Sequence, residues 1–271
     1  MTRCLRRLRP AIVALVLACP GIHAAEPIEM RVESEIFADR GTTPVARSLT
    51  VFRDGLAWDF LEGAMSGEAA EIVLHDPARE RVVVIDPMRN VKTEIESLRL
   101  ERLSVSLATW ARRSDDRLVR WAGGPEFEEG CREQERSLEL SGPRVRYEVS
   151  FGEAPTREAA DTYRRFADTA LLLKALLHPG GVPPFPRLAI NKRVAAAGGM
   201  PESVTLEVDA RGALLGGRPQ VLRSVHKMHP RLLATDLELI EDAEARVAVA
   251  ESVDVATYAV PATTAPVTVA K

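Results

Sequence analysis

The sequence predicts an α+β fold in which a large antiparallel sheet packs with about three α-helices. Two observations predict it. Short segments of alternating apolar and polar residues, separated by turn signals, recur roughly every ten residues from residue 28 to residue 95, as in a β-meander. Further along the chain, longer segments place apolar residues three and four positions apart, as amphipathic helices do.

The meander contains the predicted strands 28–36, 49–51, 56–61, 71–75, 81–85 and 91–95. Arg53-Asp54-Gly55 and two Asp-Pro pairs mark turns between them, since proline lacks an amide for the ladder. The strand with Val82-Val83-Val84-Ile85 is apolar on both faces, which is typical of a strand covered on both sides. We therefore expect Val83 and Ile85 to be core residues.

Three helices follow from apolar periodicity. The first begins near Ser97 and ends at Gly123-Gly124-Pro125, with a stripe that includes Leu100 and Trp110. The second begins after Pro155-Thr156, and its last part, Leu171–Leu177, is apolar almost all round, which indicates a buried helix or one that lines an apolar space. The remaining predicted elements are a hairpin over 138–151, strands over 204–208 and 221–228, and a third helix over 237–250.

Residues 26–260 are predicted to form a single domain, because no Gly-, Ser- or Pro-rich linker divides them. The best candidate for a boundary, residues 178–186, contains apolar residues and is followed by strand-like sequence. We therefore interpret it as a structured crossing loop. The tail, residues 261–271, consists mainly of small residues, Thr and Pro and is predicted to be disordered.

Residues 1–25 have the pattern of a secretory signal peptide. Four arginines precede a short apolar run, 11–18, which is too short to span a bilayer, and Ala24-Ala25 offers a cleavage site. This predicts export to the periplasm or the extracellular space, with no transmembrane helix in the mature chain. The alternative is a lipid anchor, because Val16-Leu17-Ala18-Cys19 resembles a lipobox in which Cys19 would be acylated.

Charge and cysteine content exclude several classes of function. Without residues 1–25 the chain keeps 32 basic and 39 acidic residues, with the basic ones scattered among the acids. That balance argues against nucleic acid, or an anionic membrane surface, as the main partner. Cys131 would be the remaining thiol, and neighbouring carboxylates raise its pKa, which opposes a nucleophilic role.

No catalytic or metal-binding motif is present. The sequence lacks G-x-S-x-G, H-E-x-x-H, C-x-x-C and P-loop patterns. His226 and His229 would face opposite sides of a strand and so could not readily share a metal, and His75-Asp76 is more simply a turn. The acidic stretch 126–135 favours a solvated loop over a calcium loop. The sequence thus predicts no enzyme activity and no cofactor.

A resemblance adds to this interpretation. The run from Glu71 to Ile95, EIVLHDPARERVVVIDPMRNVKTEI, resembles the meander of outer-membrane lipoprotein carrier-like proteins, with the similarity covering about residues 47–96. In that family such strands build an incomplete β-barrel whose open side is closed by helices. The resemblance implies a curved, open sheet with a concave apolar cavity that receives acyl chains. An arginine inside the cavity is important in the carrier, but no single arginine of this sequence corresponds to it.

Two hypotheses about function stay open. In the carrier-like one, a non-enzymatic exported protein binds or carries a lipid or another apolar ligand, and Phe52, Trp58 and Phe60 line the cavity together with Leu172, Leu173 and Leu176. In the other, these side chains fill an ordinary core. The protein is then a structural or interaction component of the cell envelope, with a protein partner and no small ligand.

Overall fold

The computed structural model describes residues 28–39, 41–62, 69–124, 127–209 and 220–260. The strands are β1 (Met30–Ala38), β2 (Ala46–Arg53), β3 (Leu56–Glu62), β4 (Ala69–Asp76), β5 (Arg81–Asp86), β6 (Val91–Glu96), β7 (Cys131–Gln134), β8 (Ser137–Gly142), β9 (Val145–Glu153), β10 (Gly199–Val208), β11 (Gln220–His229) and β12 (Glu251–Ser252). The helices are α1 (Ser97–Arg112), α2 (Arg117–Ala122), α3 (Arg157–Leu177), α4 (Phe185–Ala196), α5 (Ala234–Val249) and α6 (Val255–Ala259).

All the strands belong to one open sheet. Its order is β12-β6-β5-β4-β3-β2-β1-β11-β10-β9-β8-β7, and its pairs are antiparallel apart from the short β12–β6 pair. The six-stranded meander is as the sequence predicts, and the α+β class with an open antiparallel sheet is confirmed. A long connection through α1 and α2 carries the chain to the far edge, and β11 then joins the two halves by pairing with β1.

Helices cover both faces of the sheet. One face, the inner face, packs against α3 and α4 through a cluster that contains Val32, Phe52, Tyr163 and Phe166. The opposite, outer face packs against α5. Because successive residues of a strand point to opposite faces, β5 contributes to both. Val82 and Val84 lie on the inner face and Val83 and Ile85 on the outer face, each no more than 1% exposed, which confirms the prediction of a doubly covered strand.

Three expectations are corrected. The segment after residues 178–186 is the helix α4, not a strand: Ile190, Val194 and Ala195 are buried at helical spacing. The acidic stretch includes the edge strand β7 rather than being wholly a loop. The long first helix is two helices, because Asp116 caps a new one by accepting from the amides of Leu118 and Val119.

Several sequence interpretations lie outside the described residues. These are the signal peptide with Cys19 and its cleavage site, and the predicted disordered tail. None of the helices in the described part of the chain has the length and apolar character needed to cross a membrane.

Candidate ligand-binding site

The centre of the inner face carries a band of polar side chains. The pairing register places Ser34 of β1 opposite both His226 of β11 and Ser48 of β2, and Thr50 of β2 opposite Asp59 of β3. With Ser224, two residues from His226, these side chains lie on the same face. We call this set the polar band: Ser34, Ser48, Thr50, Asp59, Ser224 and His226. It lies between apolar clusters of the inner face, which also carries His75, Glu71 and Thr93 nearer the β6 edge.

Asp59 is the acidic member of the polar band. Its Oδ1 accepts a hydrogen bond from Thr50 Oγ1 at 2.8 Å. Burial raises the pKa of Asp59 to about 6, while the bonds from Thr50 and Ser48 act in the opposite direction. The carboxyl group therefore changes its charge at mildly acidic pH, where an ordinary aspartate is fully ionised.

His226 is the band's imidazole. Its Nδ1 lies 2.8 Å from Ser34 Oγ, and its Nε2 lies 2.9 Å from Ser224 Oγ. Burial and, to a smaller extent, the positive charge of Arg187 together lower the pKa of His226 to about 4. At neutral pH the ring is uncharged, so one of its nitrogens donates and the other accepts.

Arg187 brings the positive charge to this region from α4. The helix starts at a proline-rich turn, and Arg187 shares the core-facing stripe of Ile190 and Val194 because residues three and seven positions apart lie on one side of a helix. Its Nη1 is buried and has no hydrogen-bond partner among the described residues. Burial lowers the pKa of the Arg187 guanidinium, and Asp168 opposes that effect weakly.

The carboxylate whose charge acts on Arg187 already has hydrogen-bond partners. Asp168 Oδ1 accepts from Asn191 Nδ2 at 2.8 Å, and Oδ2 accepts from Arg164 Nη1 at 3.1 Å. Tyr147 and Tyr163 also lie close enough to feel the charge of Arg187, yet burial raises the pKa of each to about 12, so both phenols stay neutral. Arg187 is thus a buried cation with an incomplete set of acceptors.

The region around Arg187 is deep in the fold but not fully packed. Asp59, His226 and Arg187 are desolvated strongly enough to shift their pKa values. Each nevertheless keeps part of its surface accessible. These three side chains are therefore desolvated without being completely covered by protein. Apolar side chains with the same intermediate exposure, Ala167 and Ala170 of α3 and Met228 of β11, pack against the neighbouring cluster.

The structure does not bring the six predicted cavity residues together. Phe52 lies on the inner face, where its ring meets those of Tyr163 and Phe166 at centroid distances of 6.3 and 5.6 Å. Trp58 and Phe60 lie on the outer face under α5, because they have the opposite parity on β3 to Asp59. They cannot line an inner cavity.

The three leucines lie further along the inner face. Leu173 is 4% exposed and packs with Val82 and Val84, whereas Leu172 and Leu176 are half-buried at the border of that cluster. The sequence analysis missed Arg187 and the polar band. If α4 had been predicted, Arg187 would have stood out as a basic residue on the apolar stripe of a helix.

Other candidate groups have structural roles. His229 lies near Glu33 and faces away from His226, as expected. Asp76 caps the turn after β4 by accepting from the amide of Arg79, which agrees with the turn interpretation. Burial raises the pKa of the Cys131 thiol, and Glu133 adds to the effect. Among the described residues, no group of three or more His, Cys, Asp or Glu side chains could hold a metal ion.

Comparison with known proteins finds a similarity to solved structures. No protein-family model matches the chain, and no curated protein matches it. Among solved structures it is similar to the LolA superfamily protein NE2245 from Nitrosomonas europaea, with 9% sequence identity, coverage of 78% of this chain and 90% of that chain, and a TM-score of 0.29. At that identity no residue role passes from that protein to this chain.

Proposed function

We propose that the protein is a non-enzymatic carrier of the cell envelope that binds an amphiphilic ligand, an acyl chain with an anionic head group, on its inner face. The observation that supports this most directly is the buried Nη1 of Arg187, which lacks a hydrogen-bond partner. A buried polar group without a partner costs free energy, and a bound ligand that supplies an acceptor would recover that cost.

The chemistry of the site favours an anion as that acceptor. A guanidinium binds carboxylate and phosphate oxygens with paired, charge-assisted hydrogen bonds. Asp168 is held by Asn191 and Arg164, and Asp59 accepts a hydrogen bond from Thr50. One of the Ser34 and Ser224 hydroxyls donates its hydrogen to the unprotonated nitrogen of the neutral His226, so the other hydroxyl is the one that can donate to a remaining oxygen of a head group.

The surroundings of the site favour an acyl chain as the remainder of the ligand. Ala167, Ala170 and Met228 present accessible apolar surface next to the polar band, and Leu172 and Leu176 continue it along α3. Extended apolar walls with a few convergent polar groups are typical of small-molecule sites. An exported protein with such a site would carry its ligand between membranes or within the envelope.

Extraction and mass spectrometry test whether a ligand is present. The natively purified protein is extracted with organic solvent, and we expect an acyl lipid or fatty acid in the extract. The delipidated protein should then bind a fluorescent fatty acid. Loss of one charge-assisted contact in the Arg187→Met variant should weaken that binding about 10- to 100-fold. Lys192→Met removes the same charge from an exposed position of the same helix and should leave binding unchanged.

Two results would favour the alternative of an envelope structural or interaction protein with a filled core. One is an extract without lipid combined with no binding of the probe. The other is equal binding by the wild type and by Arg187→Met. The location is tested separately by N-terminal sequencing of the exported protein. A start at Ala25 or Glu26 indicates a released chain, and a blocked, acylated Cys19 indicates a lipid anchor.

A further inference from the structure

The solvent-facing side of α1 exposes three large apolar side chains. Leu98, Val105 and Trp110 are 48%, 69% and 57% exposed. Leu98 and Val105 are two helical turns apart and so lie on one side of the helix, and Val105 and Trp110 border the same shallow depression. The buried residues of α1, Leu100 among them, lie on the opposite side and hold the helix against the protein. The exposed apolar side is therefore left unpaired within the chain as described.

Arginines surround these apolar residues. Arg99, Arg102 and Arg113, the last directly after α1, are exposed and lie between Val105 and Trp110 around the helix axis, whereas Glu101, the one acid of α1, lies on the other side of Val105. Across residues 97–122 there are six arginines and three acids. One of the acids, Asp116, is occupied by the cap of α2 and by Arg144 at 3.0 Å. A basic surface thus stands on a chain whose total charge is negative.

We propose that this face of α1 docks on the surface of an anionic lipid bilayer. An amphipathic helix with tryptophan and aliphatic residues flanked by arginines matches the interfacial layer, where indole rings sit at the level of the head groups and basic side chains pair with lipid phosphates. The structure here revises the sequence argument against an anionic membrane surface. Along the sequence the arginines are scattered among acids, but the fold gathers Arg99, Arg102 and Arg113 on one side of α1.

The fit to a membrane comes from the mixture of residues. The apolar side chains stand singly between arginines, which suits shallow insertion between lipid head groups, with long basic side chains reaching around them. A protein interface is also enriched in aromatic residues and arginine, but its apolar side chains form a contiguous centre inside a polar rim. The inference concerns a surface other than the inner face and does not depend on the ligand proposed there.

Binding to vesicles tests the proposal. The full chain is mixed with phosphatidylcholine vesicles with or without phosphatidylglycerol, and sedimentation gives the bound fraction. We expect binding to require phosphatidylglycerol and to weaken with added salt. Replacing Arg102 and Arg113 with Gln should weaken binding roughly 30-fold, about 5-fold per arginine, as for basic residues near anionic lipid. The control variant, Lys227→Gln with Arg231→Gln, loses the same charge from exposed positions and should bind as the wild type does.

Tryptophan fluorescence supplies a second measurement. Trp58 is buried and Trp121 half-buried, so a blue shift on adding anionic vesicles reports mainly on Trp110, and Trp110→Phe should remove it. Residues 1–25 contain four arginines, but all variants have the same residues there, so this segment cannot cause differences in binding between them. The proposal is overturned if the wild type does not bind anionic vesicles, or if the control variant at 227 and 231 loses as much binding as the variant at 102 and 113. It is also overturned if the blue shift persists in Trp110→Phe. Failure of these tests leaves fatty-acid binding at Arg187 untouched.

Discussion

Replacing Arg187 with methionine should stabilise the ligand-free protein while it weakens ligand binding. Methionine keeps the length of the side chain but removes a buried cation whose Nη1 has no partner. An unsatisfied buried donor costs about 1–3 kcal/mol, and apolar replacements of buried charged groups are often stabilising by a similar amount. Because part of Arg187 stays accessible, the lower end applies, about 1–2 kcal/mol.

Thermal unfolding of the delipidated protein, followed by circular dichroism, measures this effect. For a domain of this size each kcal/mol moves Tm by about 2–4 °C, so we expect Arg187→Met to raise it by a few degrees. Lys192→Met should leave Tm within about 0.5 kcal/mol of the wild type, because that side chain is exposed. Adding the fatty acid should raise the Tm of the wild type more than that of Arg187→Met. If ligand-free Arg187→Met has a lower Tm than the wild type and Lys192→Met, then Arg187 stabilises the core and the reasoning fails.

Three further substitutions test the packing by urea unfolding. Ile85→Asp should cost several kcal/mol because it buries an unpaired charge on the outer face. An unchanged urea midpoint would show that β5 is not part of the core. Gly142→Ala should cost about 1–3 kcal/mol, since a Cβ there would lie 2.5 Å from rigid ring atoms of Trp121; equal stability would contradict that contact. Leu173→Asn should destabilise far more than Leu172→Asn, because Leu173 is buried and Leu172 is half-exposed. A larger loss of stability in Leu172→Asn would contradict this assignment of the buried leucine.

The meander was predictable because its information is local. Most of the strands alternate on their own, and Asp54-Gly55 or an Asp-Pro pair ends three of them without reference to distant residues. The helix α4 was missed because prolines at 183, 184 and 186 indicate a turn, while proline is also favoured in the first turn of a helix. The buried set Ile190, Val194 and Ala195 has helical spacing, which is the signal that favours the helix.

The candidate site could not be predicted because it depends on pairing between distant strands. Ser34 and His226 are far apart in sequence and meet only because β11 pairs with β1. Neither the choice of that partner nor its register follows from local alternation. The same limit explains the error at Trp58 and Phe60, whose aromatic character was evident while the face they occupy was not.

The polar band should also give opposite responses to pH at two of its residues. The folded pKa of Asp59 is raised to about 6, so the native state binds more protons than the unfolded state between about pH 4 and pH 6. Stability from this group therefore falls as pH rises through that window. The folded pKa of His226 is lowered to about 4 from 6.5, so the native state binds fewer protons there. Stability from His226 is present above about pH 6.5 and is lost as pH falls.

Substituting each residue separates the two contributions. Relative to the wild type, Asp59→Asn should gain stability as pH rises from 4 to 7, and His226→Gln should gain stability as pH falls over the same range. Each gain should reach about 1–2 kcal/mol after allowance for partial solvent access. Differences from the wild type at each pH cancel the other titrating groups, including the surface carboxylates. If both variants keep a constant difference from the wild type at every pH, these two side chains do not titrate within the fold, and the polar band is less buried than the structure places it.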